Sequence, residues 1–161
     1  MEPLAYFITW TTYATWLPGD ERGWVKKGDV RVREPEPAMK NYASSMLKSD
    51  PVLLSHEQRK LVECTIRDHC KIRGWELHAL NARSNHVHVV VTANIEPRRV
   101  LDQFKAWCTR KLNEQFGRRW SATGRWWTEG GSKRWINDER HLENVIQYVL
   151  EAQDLKGEDI A

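Results

Sequence analysis

Apolar and polar residues change their period along this chain in blocks, and the changes mark its elements. Ala5 to Tyr13 (AYFITWTTY) is dense in aromatic and β-branched residues and predicts a first strand. Pro18-Gly19 ends it as a turn. From there to about residue 50 the periodicity is lost among charges, Gly23, Gly28, Pro35 and Pro37. That irregular charged insertion, about 18–50, fits partial disorder and, through Lys26, Lys27, Arg31 and Arg33, an arm that touches nucleic acid. The helical period follows. Ser55 and Gln58 have capping-box spacing, Val62, Ile66 and Cys70 recur every four residues, and Gly74 supplies a stop after Arg73.

Trp75 to Leu80 predicts a second strand, 81–85 a polar turn, and His86-Val87-His88-Val89-Val90-Val91 a third strand paired with it as a hairpin. Pro97 suits the first position of a second long helix reaching about Phe116, with Leu101, Phe104, Cys108 and Leu112 as its core stripe. Beyond Gly117, Trp126-Trp127-Thr128 and Lys133-Arg134-Trp135-Ile136 read as two short strands or one strand broken at Gly130-Gly131. A last helix, capped by Asn137 or Asp138, runs past Leu150 on a stripe of Leu142, Val145, Ile146, Val149 and Leu150. The order is that of an α+β fold in one domain over 1–161. It is a ferredoxin-like βαββαβ antiparallel sheet with helices on one face and its other face open to a ligand, plus a C-terminal helix.

Candidate chemistry lies on the third strand. His86 and His88 share a face, with Cβ atoms roughly 6–7 Å apart, while Val87, Val89 and Val91 turn to the core. Such a pair can share a divalent ion, and it can equally be satisfied polar residues on a half-exposed sheet. Tyr148 falls roughly 130° from the centre of the last helix's apolar stripe, on a polar flank with His141 and Asn144.

Composition narrows the partners. Hydrophobic residues make up 40% of the 161 and charged ones 29%, an ordinary soluble balance with no membrane span. The opening Met1-Glu2-Pro3-Leu4 carries no signal-peptide pattern, so the expected location is cytoplasmic. Cys64, Cys70 and Cys108 lack Cys-x-x-Cys spacing and read as reduced core residues. Net charge is only +3, but Pro97 to Trp135 holds ten Lys or Arg against three acids, which leaves about −4 for the remainder. A +7 sector interleaved with Trp120, Trp126, Trp127 and Trp135 suits a polyanion with stacking bases, hence nucleic acid, although a solvated face has the same composition.

Phe7-Ile8-Thr9-Trp10-Thr11-Thr12-Tyr13, Ser84 to Val91 and Glu143-Asn144-Val145-Ile146-Gln147-Tyr148-Val149 together resemble the single-tyrosine HUH transposases, including the REP-associated tyrosine transposases of bacteria. The resemblance covers most of the chain outside 20–50 and the last residues. It implies an enzyme, nucleoid-associated in a bacterium, that cleaves and rejoins single-stranded DNA at hairpins through a 5′-phosphotyrosine. His86 and His88 match the metal pair and Tyr148 the nucleophile, with Mg²⁺ or Mn²⁺ as cofactor and a monomer or homodimer as the working form. The family commonly supplies a third ligand four residues after the tyrosine, where this chain has Ala152. Gln153 is the expected substitute, with Glu151 or His141 as alternatives.

Arg83, Arg98, Arg99, Lys105, Arg110, Lys111, Arg125, Lys133 and Arg134 are the expected DNA contacts, phosphate contacts first. The main rival is a domesticated hairpin-DNA- or RNA-binding protein that no longer cuts, which Ala152 would suit. A replication initiator or relaxase would need further domains, and a small-molecule hydrolase leaves the basic sector unexplained. A zinc deaminase lacks its Pro-Cys-x-x-Cys here.

Overall fold

The computed structural model describes residues 3–15, 24–25, 32–33, 51–117 and 125–152. Within the 18–50 stretch the described part is a two-residue antiparallel ladder, β2 (Trp24–Val25) against β3 (Val32–Arg33), separate from the main sheet. The main sheet is built from β1 (Ala5–Thr11), β4 (Glu76–Ala82), β5 (His86–Thr92) and β6 (Ser132–Ile136). They lie in the order β4-β5-β1-β6 with every neighbouring pair antiparallel, the ferredoxin-like arrangement.

The helices start and stop where their end residues allow. α1 (His56–Arg73) begins at a reciprocal capping box between Ser55 and Gln58 and ends at Gly74, whose left-handed φ of 72° lets its N–H return to the Cys70 and Lys71 carbonyls. α2 (Pro97–Phe116) opens on Pro97 and buries Val100, Leu101, Phe104, Cys108 and Leu112. α3 (Glu139–Leu150) is capped by the Asp138 carboxylate, which accepts from the His141 N–H. The second strand reaches Ala82, two residues beyond its predicted end, because its ladder with β5 resumes after an irregularity at His78.

Strand alternation divides the molecule into two cores. Ile8 and Trp10 of β1, Leu80 and Ala82 of β4, and Val87, Val89 and Val91 of β5 face α1 and α2. Ala5, Ala79, Val90 and Ile136 face the other way and meet Leu142, Val145 and Val149 of α3. The second face is therefore not left open, as the chain order suggested. The apolar stripe of α3 needs a surface, and the two alanines let the helix come close. Leu150, expected in that stripe, is exposed, since the helix leaves the sheet there. Cys70 and Cys108 are buried, and burial raises both thiols, that of Cys70 to about 11. Cys64 is exposed, contrary to its expected place in the core.

The segment before β6 resolves the choice between two strands and one. Trp127 forms an isolated bridge with Thr12, and Ser132 resumes pairing at Thr9. Five steps on one side thus answer three on the other, a bulge at Glu129–Gly131 in a single interrupted strand. Gly131 is needed there: a Cβ at that position would meet the Thr9 carbonyl oxygen at 2.8 Å and Leu101 Cδ2 at 3.0 Å. No helix among the described residues is long and apolar enough to cross a membrane.

Phe104 joins the layers, packing on Trp10, Trp75 and His69 with no exposed surface. Phe104→Ala is expected to cost about 3–5 kcal/mol in urea unfolding, and Ser55→Ala only about 1 kcal/mol through the lost cap.

Candidate active site

The β1–β5 register sets His88 opposite Thr9 and His86 opposite Thr11 on the face away from α1 and α2. The two imidazole rings lie 4.6 Å apart between centroids. Each is oriented by its Nδ1. That of His86 stands 2.7 Å from Asn85 Oδ1, an acceptor only, so Nδ1–H donates and Nε2 carries the lone pair. That of His88 stands 2.7 Å from Thr9 Oγ1, a hydroxyl able to accept the same kind of bond. In the Nδ1–H tautomers both Nε2 atoms could ligate a metal, their other nitrogen being tied to an orienting oxygen. Burial, reinforced by the neighbouring His86, lowers the His88 pKa to about 3, so the imidazole is neutral rather than a cation at ordinary pH.

α3 brings Tyr148 to this pair. Its ring centroid lies 5.6 Å from that of His88 and 6.1 Å from Phe7, edge-on to both. Phe7 in turn sits 5.5 Å from His88 and walls the space between strand and helix. Tyr148 remains 58% exposed at the rim, while His86 and His88 are buried. Tyrosine and histidines come from the same chain.

Among the described residues no third His, Cys, Asp or Glu, His141 and Glu151 included, groups with the pair. The Glu151 carboxylate instead accepts from Gln147 Nε2 at 2.6 Å. Gln153 lies outside the described residues, as do Arg118, Arg119 and Trp120 of the basic sector.

The expected DNA contacts separate in space. Arg98, Arg99, Lys105, Arg110 and Lys111 all stand on α2, across the sheet from the histidines. Arg98 and Arg99 are exposed. Arg110 and Lys111 share Glu114, and Arg110 lies over Trp107. Lys105 is already engaged within the fold: its ammonium donates to the Thr128 and Gly130 carbonyls at 2.8 and 2.9 Å, and burial depresses its pKa. These bonds clamp the bulge before β6. On β6, Arg134 pairs opposite Phe7 and takes the face of the site, while Lys133 takes the other face and bonds the Gly131 carbonyl. Arg83 stands in the turn that leads into His86, and Arg125 is exposed ahead of the bulge. Thr9, Asn85 and Phe7 were not picked from sequence. Asn85 was the most findable, since it directly precedes His86, whereas Thr9 and Phe7 depend on strand pairing.

Residues 46–152 match the family model described as the IS200-like transposases. The chain belongs to this family. In this IS200-like transposase the matched region runs through α1, β4, β5, α2, β6 and α3, and so contains His86, His88 and Tyr148 but not β1. No curated protein matches the chain in sequence. Among solved structures, one from Deinococcus radiodurans R1 proposed to be a transposase is 17% identical with a TM-score of 0.53, over 94% of this chain and 91% of that one. A REP-associated tyrosine transposase bound to a REP hairpin is 11% identical with a TM-score of 0.55, over 92% of this chain and 66% of that one. At these identities the two structures establish the fold that the family shares.

The buried neutral His88 makes stability depend on pH. Its pKa is lower folded than unfolded, so between 6.5 and about 3 the unfolded chain binds more protons. In chelator, the urea midpoint should be insensitive to this group above pH 6.5 and fall as pH drops towards about 3. His88→Asn should flatten that fall.

Proposed function

We propose that this IS200-like transposase is a metal-dependent single-stranded DNA endonuclease and strand transferase, cutting and rejoining DNA at hairpins through Tyr148. The observation that carries the reading is the Tyr148 ring 5.6 Å from His88, over a pair of oriented imidazoles on the sheet face opposite the main core. The donor set suits a divalent ion, with His86 and His88 as ligands through Nε2 and Gln153 as the proposed third donor. Mg²⁺ or Mn²⁺ held there supplies neutralisation of the phosphodiester charge and polarisation of its bonds, and imidazole ligands favour Mn²⁺ over an all-oxygen site.

The chain's own groups do the rest. The phenol oxygen of Tyr148 attacks phosphorus, the bond to the 3′-oxygen breaks, and a 5′-phosphotyrosine and a 3′-hydroxyl result. His88, with Nε2 committed to the ion, is not the base; the phenol proton is released to solvent at the exposed rim, and the departing 3′-oxygen takes one up. A second 3′-hydroxyl attacking the phosphotyrosine reverses the step and joins new ends without an external energy source. The placement of Tyr148 beside the histidines of its own chain supports action in cis. Arg98 and Arg99, with Lys133 on the same side of the sheet, are the proposed phosphate contacts for hairpin DNA, and Arg83, Arg125 and Arg134 are proposed for the strand that is cut. The family membership and the basic sector support a DNA substrate, and the hairpin is what the REP-associated structure holds.

A second reading, a hairpin-binding relative that no longer cuts, draws on Ala152 and on the lack of a third His, Cys, Asp or Glu beside the pair among the described residues. Covalent capture separates the two. End-labelled single-stranded hairpins from repeats around the gene, incubated with Mn²⁺ or Mg²⁺, should give a label that migrates with protein on denaturing gels. Tyr148→Phe and His86→Ala should each reduce it to background. Salt-sensitive hairpin binding with no adduct from the unaltered protein would decide for the second reading.

A further inference from the structure

The apolar grip of α3 on the sheet ends at Val149, because Leu150 is 62% exposed and Tyr148 points to the rim. Val149 is thus the last apolar anchor of the helix, and beyond it the chain end is held by polar contacts, the Glu151 and Ala152 N–H groups bonding to the Gln147 and Val149 carbonyls. One side chain from the sheet also meets this end. Asn81 Nδ2 donates to the Val149 carbonyl at 2.9 Å and to the Ala152 carbonyl at 3.1 Å, so both of its hydrogens are spent on the end of the tyrosine helix. Asn81 also stands directly opposite His88 in the β4–β5 register. The strand position that faces the imidazole thus sets the height and rotation of the turn that carries the phenol.

From this geometry we infer that Asn81 is a positioning residue, a latch that holds Tyr148 over His88 of its own chain; the inference rests on Tyr148 being the nucleophile. Val149 follows Tyr148 directly, and fraying of this turn would carry the phenol away from the imidazoles. Asparagine suits the task because one amide nitrogen serves two carbonyls. An aspartate of the same shape has no hydrogen to give them and would set a negative charge against two carbonyl oxygens.

The test uses the full chain carrying Asn81→Asp and, should that variant fold poorly, Asn81→Ala. Backbone amide exchange at Glu151 and Ala152, which bond to the Gln147 and Val149 carbonyls, reads the latch without reference to activity. Single-turnover formation of the phosphotyrosine adduct reads its consequence. Exchange at these two amides should speed up, and adduct formation should slow roughly 10- to 100-fold, the scale of a misplaced reacting group. Hairpin and Mn²⁺ affinities should stay within about twofold of the unaltered protein, as a loss confined to the chemical step requires.

Unchanged exchange would overturn the latch, and faster exchange with an unchanged adduct rate would overturn its role in placing the nucleophile. Mn²⁺ affinity falling in step with the rate would make Asn81 a ligand and not a latch. No adduct from the unaltered protein would remove the nucleophile reading and the positioning role with it. The exchange comparison would then decide only whether Asn81 secures the helix.

Discussion

The antiparallel register of β1 against β5 is the constraint on which the rest of the molecule depends. With Ile8 opposite Val89 and Trp10 opposite Val87, the apolar side chains of both strands enter one core, and Thr9 comes opposite His88 on the other face. A slip of one residue would exchange the faces, exposing valines and turning imidazoles towards α1 and α2. Packing energy and site geometry are therefore set by one choice. The core enforces it, since Val87, Val89, Val91 and Ile8 are all fully buried.

The second face is shaped by the need to bury α3 as much as by the chemistry. Ala5, Ala79, Val90 and Ile136 accept Leu142, Val145 and Val149, and the same docking lowers Tyr148 to the edge of the histidine pair. Drying this face has an electrostatic consequence. It removes solvation from His88 until the imidazole stays neutral, the form in which it can donate a lone pair to a metal.

The basic residues show where linear sequence misleads. They crowd between Pro97 and Trp135, yet α2 carries five of them to the face opposite the histidines, and β6 sends Arg134 and Lys133 to different sides. Helical and strand periods project neighbouring residues in different directions, so density along the chain is not density on a surface. Lys105 is the clearest case. It belongs to the basic sector by sequence, yet in the fold its ammonium bonds to the Thr128 and Gly130 carbonyls of the bulge before β6.

Period, capping residues and breakers are local signals, and the elements they predict were legible: the capping box of α1, the Pro97 start of α2, the alternation of β5 and the off-stripe place of Tyr148. The histidine pair and the tyrosine were legible for the same reason, being defined by spacing within one strand or one helix. Which oxygens orient the imidazoles, which face α3 covers, and what fastens its last turn depend on pairs far apart in the chain, Thr9 with His88 and Asn81 with Val149. Such contacts leave no period to read. They are decided when strands choose a register and helices a face, because only then does burial select which polar groups must find one another.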